Sequence, residues 1–423
     1  REDLEHGVAR IPAIGRQAYR LGKDVKGSMK AFFVPGLLFE ELGLAYIGVV
    51  DGHDMHALRE SIRQAIETPR PVVVHVKTVK GKGYEPAESR PDAYHGTGPF
   101  HIGNGVCKAA AVGTTYTEAF GEALVRLAER DRRIVAITAA ITQGTGLEEF
   151  ERRFPDRFYD VGIAEEHAAV FAAGLAIGGM RPVLALYSTF LQRAFDMLMQ
   201  DVGLQGLPVT FAVDRAGLVG DDGPTHHGAF DLSFLRLVPG MTVMAPSSLE
   251  ELQRMLATAL SLDGPAALRY PRGLAAPFTR LEEIEPLEVG AGVVLQEGAD
   301  VALVGVGTGV GIAREAAQLM AAEGAAPTVV DARFVKPLDT GLLQRLAAAH
   351  RRLVTVEENT LTGGFGSAVL EAVGSGVDVV RVGLPDAFVP QGERTRVLAD
   401  VGLTAQAVAH AARARTPALT RVT

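Results

Sequence analysis

The chain has 423 residues, of which 47% are apolar, and at roughly 150 residues per domain that is material for about three domains with cores of their own. Fifty acidic residues against forty-two basic ones leave a formal charge of -8, which excludes a broadly cationic surface for nucleic acid or an anionic membrane and leaves any phosphate site to a few placed cations. The single cysteine, Cys107, can supply neither an intrachain disulfide nor a thiolate metal cluster, so a reducing compartment, the cytoplasm, is expected. No apolar run approaches the roughly 18 to 20 residues of a membrane span. Arg1 to Arg20 mixes both charges, lacks the apolar stretch of a signal peptide and has no initiator Met. Abundant Gly, Ala and Val with no Trp fit the close strand-to-helix turns of an α/β protein.

In chain order, Met55 to Glu67 reads as a helix and Val72 to Val76, opened by Pro71, as a buried parallel strand. The strand empties into Lys80-Gly81-Lys82-Gly83-Tyr84, a basic turn at the end of the sheet where α/β proteins bind phosphates. Glu88 to Gly113 is aperiodic and rich in Gly and Pro, as a linker is. Strands are expected at Ile134–Thr138, Val183–Leu186, Val209–Val213 and Thr242–Met244, and helices at Thr117–Glu129, Glu165–Gly178, Phe190–Leu204 and Ser248–Leu260. That alternation makes a doubly wound parallel sheet. Strands at Val301–Val306, Pro327–Val330, Leu353–Val356 and Val377–Val382 repeat the texture. The fold class is therefore α/β and multi-domain, with parallel sheets flanked by helices, divided as residues 1–110, 111–286 and 287–423.

Several runs could carry chemistry. Gly305, Gly307, Gly309 and Gly311 follow a strand and open a helix, but the Gly-x-Gly-x-x-Gly spacing fails at Val310 and Ile312, so close helix-on-strand packing is preferred to a dinucleotide site. Glu165 and Glu166 open an Ala-rich helix that looks buried all round, so one carboxylate is expected to leave water and await a ligand donor. Tyr187 to Arg193 sits at a strand-to-helix turn and offers an exposed aromatic plane, a phenol and a cation. His226 and His227 lie among aspartates but without ligand spacing for zinc, so a substrate-contacting loop is the better reading. Arg269 and Arg272 end a strand with guanidinium groups suited to a phosphate.

Taken together, these runs resemble the 1-deoxy-D-xylulose-5-phosphate synthase family of the transketolase superfamily across nearly the whole chain. The resemblance is carried by Phe39 to Gly43, Val50 to Asp54, Lys80 to Glu88, Ile163 to Glu165, Tyr187 to Arg193, Asp214 to Gly217, Thr225 to Asp231 and Arg269 to Gly273. Arg333 to Asp339, Glu357 to Asn359 and Gly383 to Asp386 continue it in the third segment. It implies a transketolase-like fold and a homodimer that condenses pyruvate with D-glyceraldehyde 3-phosphate, using thiamine diphosphate and Mg²⁺, for isoprenoid, thiamine and pyridoxal synthesis. By position, Glu165 matches the glutamate that hydrogen-bonds the cofactor's aminopyrimidine, Phe190 the aromatic that stacks on it, and Lys80 a residue near its diphosphate. Tyr187, Arg193, Asp222, His226 and His95 correspond to positions around the reacting carbons, the histidines as candidates for proton transfer, and Arg215 and Arg272 to the clamp on the aldehyde's phosphate. The third segment, in this family, supports the dimer and supplies no catalytic group.

One family element is missing: the sequence contains no Gly-Asp-Gly, the motif through which thiamine-diphosphate enzymes hold magnesium and diphosphate. No metal ligand is expected in this chain, and Arg1 to about Ala110 reads as the tail of a longer diphosphate-binding domain that would carry those ligands. Two alternatives accommodate this. One is a β-type subunit of a 2-oxoacid dehydrogenase, whose partner chain supplies the diphosphate site; the other is a noncatalytic scaffold that keeps the fold.

Overall fold

The computed structural model describes residues 36–91, 93–106, 113–275 and 280–414. Cys107 and the stretch from Arg1 to Arg20 lie outside the described residues. The chain divides into two compact units, Arg1–Val112 and Gly113–Thr423.

In the first unit, β1 (Ala45–Asp51) and β2 (Val72–Lys77) pair in parallel, with Ala45 opposite Val72. The connecting helix, Met55–Glu67, starts at Asp54, whose carboxylate accepts from the backbone N–H groups of His56 and Ala57, a side-chain cap for orphan donors. Val72 to Val76 is parallel as expected but not buried: its first residues are half-buried and Val76 is exposed. Among the described residues β2 has a partner on one edge only, so its apolar side chains are incompletely covered.

The second unit contains two sheets. The larger is ordered β12-β7-β8-β6-β5-β3-β4, built from β3 (Ile134–Thr138), β4 (Phe158–Asp160), β5 (Arg181–Tyr187), β6 (Thr210–Asp214), β7 (Thr242–Met244), β8 (Ala266–Arg269) and β12 (Phe334–Lys336). The smaller is ordered β14-β13-β10-β11-β9, from β9 (Val293–Gln296), β10 (Val301–Gly305), β11 (Thr328–Asp331), β13 (Arg352–Thr360) and β14 (Asp378–Leu384). Pairing is parallel apart from the edges β12 on β7 and β9 on β11. β12, from the later part of the sequence, closes the edge of the larger sheet and joins the two layers. Strands β3, β6 and β8 are buried along their whole length, because helices cover both faces; this is why they read as continuous apolar runs rather than alternating ones.

On one face the helices Tyr116–Arg130 and Leu249–Ser261 pack together over the sheet. Each begins where a hydroxyl stands before an amphipathic run: Thr115 forms a reciprocal capping box with Glu118, and the Ser248 hydroxyl accepts from the Glu251 N–H. On the other face the helix Glu165–Ile177 leans on β5 through Ala168, Ala169, Ala172 and Ala173, in an apolar cluster that continues to the smaller sheet. This helix is not buried all round: His167, Val170, Gly174 and Ile177 are exposed, and their spacing of three or four residues places them along one stripe.

The expected helix over Phe190 to Leu204 is a broken one. It runs as short α-helical pieces, a 3₁₀ turn at Gln192–Ala194 and a π-helical turn at Leu198–Gly203. Such changes of pitch re-aim side chains and recur at functional sites. The glycines at the start of the smaller sheet behave as close-packing positions: a Cβ on Gly309 would stand 2.2 Å from the carbonyl oxygen of Val356. No described helix is long and apolar enough to cross a membrane.

Candidate functional site

The carboxyl ends of parallel strands in the larger sheet gather the candidate residues of the second unit into one contact chain. Glu165 is the first residue of its helix and is only 2% exposed. Its Oε1 accepts from Arg193 Nη1 at 2.7 Å, and no other described group bonds the carboxylate. Arg193 is half in solvent, with its side chain 53% exposed, and its guanidinium carbon lies 5.6 Å from the centre of the Phe190 ring. Phe190 stacks on Tyr187 at 5.2 Å and meets the edge of His226 at 5.4 Å. Of the two acids opening the helix, Glu165 is the buried one and Glu166 is half-buried.

Phe190, the aromatic plane of the run, is half-buried rather than exposed, and the phenol, Tyr187 at the end of β5, is buried beneath Arg215, whose guanidinium carbon sits 3.8 Å from the ring centre, at cation–π distance. Burial raises the phenol's pKa, and the neighbouring Arg215 opposes the rise. Arg215 itself follows β6 with φ of +58°, held there because the Asp214 carboxylate accepts from its backbone N–H at 2.6 Å. Asp214 also accepts from Thr117 Oγ1 at 2.7 Å, and its complete burial pushes its pKa up to about 7. The Arg215 side chain reaches Asp222 at 3.4 Å, and Arg272 pairs with the same carboxylate oxygen. Two guanidinium groups thus converge on one anion.

The adjacent histidines point apart. His226 faces Phe190, with its Nδ1 2.9 Å from the Thr225 hydroxyl. His227 is buried, its Nδ1 accepting from the Val219 N–H and its Nε2 3.3 Å from the Pro390 carbonyl, and burial lowers its pKa. Among the described residues no group of three or more His, Cys, Asp or Glu could hold a metal ion.

Arg269 does not join Arg272 in an open site. It is 3% exposed and ion-paired with the buried Asp231 at 3.0 Å, which also accepts from the Ser188 hydroxyl; Arg269 Nη2 also donates to the Gly228 and Glu358 carbonyls. In the first unit, Lys80 Nζ donates to His95 Nδ1 at 2.6 Å, and Lys80 lines a cleft with His53, Lys82, Tyr84, Tyr94 and Phe100.

Two residues at the site are not among the candidates the sequence offers, although Glu358 lies in a run that carries the family resemblance. A Cβ on Gly144 would fall 1.8 Å from the Tyr187 hydroxyl, so only glycine lets that turn approach the phenol. Glu358 on β13 accepts from the Leu218 N–H at 2.7 Å, in the loop between Arg215 and His226. Both contacts join positions far apart in sequence.

The second unit, with this cluster at the carboxyl ends of its strands, has a transketolase-like α/β fold. Residues 113–277 match the family model described as the pyrimidine binding domain of transketolase, and residues 290–408 the transketolase C-terminal domain. Residues 1–78 match the model described as 1-deoxy-D-xylulose-5-phosphate synthase. The protein of that name from Heliobacterium modesticaldum is 50% identical over 98% of this chain and 64% of its own length. 1-Deoxy-D-xylulose-5-phosphate synthase 1 of Geobacter metallireducens is 49% identical over 98% of this chain and 67% of its own. Among solved structures, a split-gene transketolase in an inactive β4 tetramer superposes with a TM-score of 0.64 at 34% identity, over 71% of this chain and 97% of that one. A mutant transketolase of Pichia stipitis, at 17% identity and TM-score 0.58 over 72% of this chain and 46% of that one, shares the fold. The chain belongs to the 1-deoxy-D-xylulose-5-phosphate synthase family. It spans about two thirds of the length of the curated relatives it matches.

Proposed function

We propose that this chain carries the aminopyrimidine-binding and triose-phosphate-handling part of an enzyme that condenses pyruvate with D-glyceraldehyde 3-phosphate, with loss of carbon dioxide, to 1-deoxy-D-xylulose 5-phosphate. The observation that carries the reading is Glu165, a buried carboxylate with one bonded oxygen and one left for a donor, linked through Arg193 to the ring of Phe190. That donor set and surface fit the aminopyrimidine end of thiamine diphosphate. Among the described residues no group of three or more His, Cys, Asp or Glu could hold the Mg²⁺. When bound, the cofactor supplies an electron sink for the pair left by departing carbon dioxide.

Glu165 accepts a hydrogen bond from the aminopyrimidine and fixes its protonation state; Phe190 stacks on the ring. Arg193 holds the Glu165 carboxylate and, being half-exposed, meets the pyruvate carboxylate. Tyr187 and His226 face the reacting carbons, with His226 moving a proton during carbon–carbon bond formation; His95, in the first unit, is the other proton-transfer candidate by its family position. Arg215 and Arg272 take the aldehyde's phosphate in place of Asp222, since planar guanidinium groups bind phosphate by paired hydrogen bonds. Lys80, bonded to His95 within the first unit, is assigned to the diphosphate by its family position.

We read the chain as domains 1–110, 111–286 and 287–423 of a cytoplasmic protein without nucleic-acid or membrane partners. It pairs with a second copy, a reading supported by the exposed apolar stripe of Val170, Gly174 and Ile177. The test is pyruvate consumption coupled to product formation, for the chain alone and joined to the preceding segment of a family member. Turnover only when joined is expected. Turnover alone would show metal ligands in this chain, a requirement for a lipoyl acceptor would favour the dehydrogenase subunit, and no turnover in either form would favour the scaffold.

A further inference from the structure

The loop from Arg215 to His227 leaves the larger sheet with few backbone partners of its own. Its two arms are tied by a reciprocal pair, Gly217 N–H to Gly228 carbonyl at 2.8 Å and Gly228 N–H to Gly217 carbonyl at 2.7 Å. Its next anchor comes from the other sheet. Glu358, 1% exposed on β13, accepts from the Leu218 N–H at 2.7 Å through Oε1. Arg394 grips the same carboxylate at 2.8 and 2.7 Å while its Nε donates to the Leu218 carbonyl at 2.8 Å, so one ion pair holds both the N–H and the C=O of a single loop residue. Thr308 Oγ1 fills the remaining acceptor on Oε2 at 2.6 Å.

The fit is tight on the loop side as well. Gly217 has φ of +78°, and a Cβ there would lie 2.5 Å from the Glu358 carboxyl carbon. Leu218 stands between the residue that reaches over Tyr187, Arg215, and the residue its guanidinium meets, Asp222. A shift of Leu218 therefore re-aims both.

We propose that Glu358 and Arg394 are positioning residues: their ion pair, built on the smaller sheet, fixes the Gly217–Leu218 turn and thereby holds Arg215 and Asp222 in place for the triose phosphate. The smaller-sheet region then sets the affinity of one substrate, beyond any support of a dimer. This rests on the reading of Arg215 and Asp222 as triose-phosphate-handling groups.

Two variants test it in the turnover-competent protein. Glu358→Gln keeps the shape but replaces one carboxylate oxygen with a donor that faces other donors. Gly217→Ala pushes on the same contact from the loop. Hydrogen–deuterium exchange is expected to rise tenfold or more for the amides of residues 216–223 in both variants, with β5 and β10 as protected as before. The KM for glyceraldehyde 3-phosphate is expected to rise about tenfold, with the KM for pyruvate unchanged. Unaltered loop exchange overturns the proposal, as does loosening that spreads through both sheets or a loosened loop with an unchanged triose-phosphate KM. A wild type whose turnover ignores triose phosphate sinks the functional reading alone, and the exchange data then still decide whether Glu358 holds the loop.

Discussion

Glu165 shows how much chemistry one placement can hold. Two glutamates opening a helix are ordinarily explained by the helix dipole, yet here one is half-buried while the other is nearly sealed and joined to the half-exposed Arg193. Replacing Glu165 with Ala is expected to lower turnover by about 10²-fold or more, the scale of a lost proton-handling group, with the melting temperature little changed; steady-state kinetics beside a thermal melt checks this. Gly144→Ala acts by volume alone. Its Cβ meets the Tyr187 hydroxyl, so Tyr187 must move from beneath Arg215, and we expect a tenfold or greater loss of turnover without unfolding, visible by the same pair of measurements.

At the scale of elements, β6 ends in a buried acid and β13 carries another within its length. Burial raises Asp214 and Glu357 to about 7, and burial beside Ser247 and Arg333 leaves Asp331, at the end of β11, at about 6. The folded state therefore keeps protons that the unfolded chain releases near pH 4, and stability falls as the pH rises from about 4 to 7, levelling above it. One such group contributes up to about 1.4 kcal/mol per pH unit to the slope. Asp214→Asn, which can still accept from the Arg215 N–H, is expected to flatten that slope; urea unfolding at pH 5, 6 and 7 measures it. Caps are a smaller matter: Thr115→Ala removes the capping box of the helix Tyr116–Arg130 and is expected to cost about 1 kcal/mol, read from the same unfolding curves.

For the whole molecule, the buried ion pair of Arg269 and Asp231 lies where β8, the Ser188 turn and β13 meet. Arg269→Met would leave Asp231 charged and unpaired in the interior, at a cost of about 3 to 5 kcal/mol. The prediction is a lowered urea midpoint at neutral pH, and an unchanged midpoint would sink it. The stripe on the helix Glu165–Ile177 makes a different demand. Val170→Glu is expected to shift the protein from dimer to monomer in sedimentation velocity, since a charge in an apolar contact between copies has no partner there.

What the sequence by itself determined is the local layer: strands β3, β5, β6 and β10, the helices expected over Thr117–Glu129 and Ser248–Leu260, and the candidate residues at strand ends. Apolar runs and helical spacing are short-range signals, and runs such as Ile163-Ala164-Glu165 and Thr225 to Asp231 lie contiguous in the chain. Its errors came where neighbours in space decide. Val72 to Val76 has the composition of a buried strand but lacks cover among the described residues. Arg269 and Arg272 differ by three positions, yet the pleat and the Asp231 carboxylate take one into the core and leave the other at the site. Tertiary structure alone brought Gly144 against Tyr187 and Glu358 against Leu218, because a hydrogen bond or a van der Waals contact between distant segments leaves no periodicity in the chain. It also decided that β12 completes the larger sheet, since an edge strand borrowed from a later segment is chosen by the open edge it fills.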